Sequence, residues 1–208
     1  MITLLVTGLL VFTQALYATA RYLRIKSAKS VEGYSGYAVG INLGLIVPWM
    51  LLPFITKGWG FLIAYGVWSA GELVILTLVW KYGVSLRKQI LGAAIFSLGA
   101  FSLLIVIGVK VNNLATTLGV GLTVADLFYG VPFLLAGLSS KTTKGISLIA
   151  LGLSLFSFAV HIYSGLGLGL LAPKGEIIWG FLLWGLLSVF YVLPVFIRVA
   201  LRRLKQLD

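Results

Sequence analysis

Ser27–Ser35 reads S-A-K-S-V-E-G-Y-S, and Ser139–Ser147, 112 residues further on, reads S-S-K-T-T-K-G-I-S. At that offset Lys29, Gly33 and Ser35 fall on Lys141, Gly145 and Ser147, and Ser30 falls on Thr142. Moving outward, Tyr17/Tyr129, Leu23/Leu135, Ala38/Ala150, Gly40/Gly152 and Leu43/Leu155 also coincide. Chance matches apolar residues easily in an apolar chain, but spaced Lys, Gly and Ser much less so. Self-similarity at a fixed offset is the signature of a repeated structural unit.

What flanks these loops sets the solvent. The chain has 208 residues, 60% of them hydrophobic and 10% charged, with a mean hydropathy of +1.09. Soluble domains run at about 45–50% apolar and about 25% charged, so lipid must solvate much of this surface. A spanning helix needs about 20 mainly apolar residues. Seven stretches qualify: roughly Ile2–Ala20, Gly36–Ile55, Trp59–Trp80, Ile90–Val109, Thr117–Leu138, Ile146–Leu170 and Glu176–Val199. The first starts with no basic stretch before it and no small-residue cleavage site after it, so it reads as a retained helix. The expected fold is all-α and integral to the membrane. It is a single domain over 1–208, with repeat one at about 2–81 and repeat two at about 117–199. A linker helix at about 90–109 lies between them, and a basic tail covers 200–208. Two three-span units joined directly would be inverted; one extra span between them makes them parallel.

The basic residues alternate with the spans. Arg21, Arg24, Lys26, Lys29, Lys81, Arg87, Lys88, Lys141, Lys144, Arg198, Arg202, Arg203 and Lys205 fall on one side, against Lys57, Lys110 and Lys174 on the other. Thirteen against three predicts an extracytoplasmic N-terminus and a cytoplasmic C-terminus. The net charge of +11 is then read as attraction to anionic lipid, with no nucleic-acid partner. Snorkelling to the headgroups is the expectation for the cations that end the first helix, Arg21 included.

With no cysteine and one histidine, thiolate chemistry, disulfides and a clustered metal site drop out, and no cofactor is expected. The last span contains no Lys to carry a retinal Schiff base. The chain reads as a non-enzyme. Its partners are a small-molecule solute and membrane lipid, and a homo-oligomer stays open.

Ionisable groups within a bilayer are costly, about 2.5–3.5 kcal/mol for Asp, Lys or Arg at a helix centre on insertion scales. Glu72 and Asp126 fall within spans, and one or both are expected to exchange a proton during transport; the plainer reading is a carboxyl that only ties helices together. Asp126 has Gln14 as its repeat mate, and His161 has Trp49. His161 suits a proton relay or a hydrogen bond to solute. Trp49, Trp68 and Trp184 offer flat faces to a sugar ring or a cation, whereas Trp59, Trp80 and Trp179 sit at span ends as interfacial anchors. Pro48, Pro53, Pro132 and Pro194 interrupt spans, with Pro132 and Pro48 the expected hinges. Gly36, Gly40 and Gly44 form a smooth ridge for close helix approach.

The pattern K-[ST]-x-x-G-x-S after a basic helix end, found twice in a seven-span chain, resembles the PQ-loop superfamily. That group includes the SWEET and SemiSWEET sugar carriers, the cystinosin-like amino-acid transporters and the KDEL receptor. The resemblance covers nearly the whole chain as a 3 + 1 + 3 layout. It implies a carrier working by alternating access, with a sugar as first expectation and Asn42 and Trp49 in the solute pocket; His161, from its repeat match, and Trp68 and Trp184, from their ring faces, are expected there too. Trp49 matches the second-helix Trp of the sugar carriers, and Asn42 a second-helix Asn of the cystinosin-like members. The alternatives implied are a proton-coupled amino-acid transporter and a peptide-binding receptor. The sequence departs from the family at the Pro-Gln pair, which is Ala20-Arg21 in the first copy and Pro132-Phe133 in the second. It also lacks the third-helix Asn in both copies.

Overall fold

The computed structural model describes residues 2–55, 59–168, 175 and 177–205. Lys57, Lys174, Glu176 and Asp208 lie outside the described residues, as does the side chain of Pro53. The described chain is helical throughout: α1 Ile2–Ala28, α2 Gly36–Ile55, α3 Trp59–Tyr82, α4 Arg87–Lys110, α5 Leu114–Ser139, α6 Leu148–Gly165 and α7 Trp179–Leu204, with a 3₁₀ turn at Val84–Leu86 before α4. Six of the seven are long and apolar enough to cross a membrane; α2 contributes a shorter apolar stretch, Gly36–Leu51. The protein is a multi-pass, all-α membrane protein.

The helix ends differ from the expected spans for physical reasons. α1 continues past Ala20 to Ala28, so Arg21, Arg24 and Lys26 ride on its last two turns, and Lys29 ends it in the left-handed region at φ 49°. That conformation closes a helix C-terminus. α6 starts two residues later than expected because Ser147 is its N-cap, with Oγ accepting from the Ala150 N–H at 3.2 Å. It stops at Gly165, where Leu166 and Gly167 turn the chain, Gly167 at φ 72°.

The two motif loops share a turn hydrogen bond and a cap, although Lys29 and Gly33 take positive φ and Lys141 and Gly145 do not. Tyr34 N–H bonds Val31 C=O at 2.9 Å, and Ile146 N–H bonds Thr143 C=O at 2.9 Å. Ser35 caps α2 through the Ala38 N–H at 3.3 Å, as Ser147 caps α6. Gly33 sits third in its turn at φ 87°, a position that favours glycine. Gly145 is needed for space instead: a Cβ there would lie 2.7 Å from the Ser30 carbonyl oxygen and 3.1 Å from that of Glu32. The loops therefore pack on each other, and Thr142 Oγ1 donates to Glu32 Oε2 at 3.0 Å across the contact.

α1 packs on α3 and α6; α2 packs on α3, α4 and α5; α7 packs on α5 and α6; α4 also touches α5. The glycine ridge of α2 does what its spacing predicts. A Cβ on Gly36 would lie 2.7 Å from Gln89 Oε1, one on Gly44 2.6 Å from Ser97 Cβ, and one on Gly40 would meet the Ile90 carbonyl, so α2 and α4 approach backbone to backbone. The outer face of α4 is apolar and exposed, with Ile95, Phe96, Leu103 and Val106 turned outward. Gln14, Ser69, Glu72, Asp126, Ser157, His161 and Ser188 are buried. Apolar groups outside and polar groups within is the distribution that lipid as solvent selects.

Candidate functional site

Gln14, Glu72, Asp126, Ser147, Ser157 and His161, among the buried polar residues, line one central cavity of about 110 Å³, room for several waters. Among the described residues its wall comes from α1, α2, α3, α5, α6, α7 and the two motif loops, with no residue of α4. Asn42, Trp49, Trp68, Glu72, Asp126, His161 and Trp184, expected at the solute site, all line it. So do Gly33, Ser35 and Ser147 of the motif, whereas Lys29, Ser30, Lys141 and Thr142 do not. Neither Pro132 nor Pro48 lines it. The helix continues through Pro48 in α2 and Pro132 in α5.

Asp126, on α5, is 4% exposed. Trp184 Nε1 donates to its Oδ1 at 3.0 Å and Tyr191 OH donates to the same oxygen at 2.6 Å. Tyr191 commits its one proton there, so Ser188 Oγ, 2.8 Å away, donates to the phenol oxygen and leans toward Asp126 Oδ2 at 3.4 Å. All three partners sit on α7 at steps of three and four residues, one face of a helix. Asp126 thereby ties α5 to α7.

His161 is fully buried. Its Nδ1 lies 2.7 Å from the Ser157 carbonyl, which can only accept, so Nδ1–H donates. Nε2 lies 2.6 Å from Tyr65 OH, and in a neutral ring it accepts the phenol proton. The bond links α3 to α6. A second link runs from Gln14 Nε2 on α1 to Ser157 Oγ on α6 at 3.0 Å. Trp184 stands edge-on to His161 at 4.5 Å and to Trp49 at 4.8 Å, and Trp49 edge-on to Tyr65 at 5.2 Å. These rings make an aromatic wall at the end of the cavity away from the motif loops. Behind it Phe61 and Phe181, both fully buried, meet at 4.5 Å.

Arg21 corrects the sequence expectation. Its side chain is 11% exposed and forms an ion pair with Glu72 inside the cavity wall instead of reaching for headgroups. It also donates to Tyr17 OH at 2.7 Å and lies over the rings of Tyr17 and Tyr34 at 5.0 and 5.7 Å. A guanidinium with a carboxylate partner loses less by staying inside than an unpaired one does. The arginines near the C-terminal end are also engaged with the protein. Arg198 donates to Gly137 O and to Ser140 O, Arg202 to Lys141 O and Arg203 to Ile146 O. These guanidiniums satisfy carbonyls at the open end of α5 and along the second motif loop.

Sequence reasoning missed Tyr65, Tyr191, Phe61 and Phe181. A signal for the last two was present: Trp59–Leu62 and Trp179–Leu182 both read W-G-F-L, at an offset of 120 instead of 112. Tyr17 and Tyr129, identical at offset 112, both line the cavity, so the repeat itself carried a signal for this pair.

Comparison with family models, with curated proteins and with solved structures yields no significant match.

The cavity's polar groups divide into two sets. Arg21, Glu72, Asp126 and His161 are engaged with other protein groups. The Asn42 amide, the Trp68 indole N–H and the Tyr129 hydroxyl line the cavity with no hydrogen-bond partner among the described residues. Arg21, Glu72, Asp126 and His161 tie the wall helices to one another. No group of three or more His, Cys, Asp or Glu suited to a metal occurs among the described residues.

Proposed function

We propose that this chain is a carrier that moves a small polar solute, first a sugar, across its membrane by alternating access. The observation that carries the reading is the division just described: what remains unengaged toward the cavity is neutral hydrogen-bonding groups and aromatic faces. Such groups suit a polyhydroxylated ring, and Arg21, the cation on the wall among the described residues, is already paired with Glu72.

Membership of the PQ-loop superfamily, with two equivalent parallel triplets, is part of this proposal. It is supported by pairwise packing that recurs when α1, α2, α3 are exchanged for α5, α6, α7. α1 on α3 corresponds to α5 on α7, α2 on α3 to α6 on α7, and α2 on α5 to α6 on α1. The matched turns and caps of the two motif loops support it further. In this reading α4 is the linker, the cavity lies between the halves, and Pro48 and Pro132 are hinges. The charge tally places the motif loops in the cytoplasm.

The second reading, a proton-coupled amino-acid carrier, is favoured by Asp126 and by the Arg21–Glu72 pair at the cavity. A peptide receptor is disfavoured because Arg21 is the only Lys or Arg on the cavity wall among the described residues and is already paired. Purified protein in proteoliposomes, given labelled hexoses and labelled neutral amino acids with and without a pH gradient, separates these. Saturable hexose uptake, reduced about tenfold or more by Asn42→Ala, is expected. Amino-acid uptake that needs an acid gradient would move the assignment to the second reading, and uptake of neither would remove the carrier.

A further inference from the structure

On the outer side of α7, Leu193, Pro194, Ile197, Arg198, Leu201, Arg202 and Lys205 line a shallow groove. Steps of three and four residues put these side chains on one helix face. Leu193, Ile197 and Leu201 are each 40–49% exposed and make an apolar strip about two turns long. At the end nearest the motif loops the strip runs into three cations, and no acidic residue lines the groove among the described residues. Apolar length followed by clustered positive charge matches one class of molecule in a bilayer. We propose that this groove binds an anionic phospholipid, with an acyl chain along Leu193–Leu201 and the phosphate against Arg198, Arg202 and Lys205.

Two features make this more than diffuse attraction to a charged surface. Arg198 and Arg202 are held by the carbonyls of Gly137, Ser140 and Lys141. A guanidinium fixed in this way loses little freedom on meeting a phosphate. Lys205, exposed at the mouth, adds a mobile charge on the same face. The inference is independent of what the carrier moves; it requires only that the chain lies in lipid.

The test is native mass spectrometry of the full chain released from bilayers of phosphatidylglycerol and phosphatidylcholine mixed equally. One phosphatidylglycerol retained in preference to phosphatidylcholine is expected, with retention lowered at least threefold by Lys205→Gln and by Leu201→Gln. Lys88→Gln, which removes an exposed cation at the start of α4, is expected to leave it unchanged. Equal retention of the two lipids overturns the site. So does an equal loss in Lys88→Gln, which would mean diffuse charge alone. Displacement of the lipid by millimolar inorganic phosphate would show a free-anion site and also overturns it.

Discussion

Arg21 and Glu72 remain inside because each offsets the other's loss of water. The pair adds a Tyr17 hydroxyl and two aromatic faces, which solvate the guanidinium further. Removing one partner leaves a charge in a poorly solvating wall, a change worth about 3–5 kcal/mol for buried pairs. Arg21→Met and Glu72→Gln are therefore each expected to lower the thermal midpoint in detergent strongly. The double variant is expected to cost clearly less than the sum, because it strands nothing. Additive losses would mean that the two groups do not share one interaction. His161 makes a parallel case with neutral groups. Tyr65→Phe deletes the proton that Nε2 accepts and leaves a buried acceptor unpaired, at about 1–3 kcal/mol. The loss should appear as a lower unfolding midpoint, and Tyr163→Phe, at an exposed tyrosine of α6, is the comparison that should not move.

Among the helices, close approach is set by missing side chains. Gly40→Ala would push a methyl into the Ile90 carbonyl and part α2 from α4; backbone cannot yield as a flexible side chain does. At Gly92 and Gly99 on α4 a Cβ would meet nothing within 4 Å. Alanine there gains helix propensity, up to about 1 kcal/mol. Thermal unfolding of the three variants should show Gly40→Ala alone destabilised and the other two equal to or above the parent. The motif loops follow the same logic. Ser147→Ala removes the α6 cap at about 1 kcal/mol, while Gly145→Ala costs more because its methyl would separate two loops and break the Thr142–Glu32 contact. The order of the two midpoints checks this.

For the molecule as a whole, the motif loops line one end of the cavity, and the aromatic wall backed by Phe61 and Phe181 lies at the other. Under the proposed carrier function, alternating access requires the two ends to open in turn. The chain has no cysteine, so single reporters are clean. Ala38→Cys lines the cavity near the loops, and Ser164→Cys is fully buried near the aromatic end. Saturating solute should change their thiol-labelling rates in opposite directions, each several-fold. Rates that move together, or not at all, would count against two gates working in opposition.

Hydropathy, charge alternation and the doubled loop were legible because each is a sum or a spacing along the chain. A span is apolar whichever way its residues point. Hence the membrane class, the helix positions and the glycine ridge on α2 could be read from residues alone, and so could Asp126 as a costly group inside a span, whereas Asn42 and Trp49 came from the resemblance and His161 from its repeat match to Trp49. Direction could not be read. A helix turns about 100° per residue, and its rotation about its own axis is set only by what packs against it. Arg21 is long enough to reach headgroups or Glu72, and the choice depends on where α3 lies. The same holds for Tyr65 meeting His161 across two helices, and for Arg198 meeting the end of α5. Linear sequence decided that this chain dissolves in lipid and where its helices run. Three-dimensional packing decided which polar groups satisfy one another, and so which are left facing the cavity.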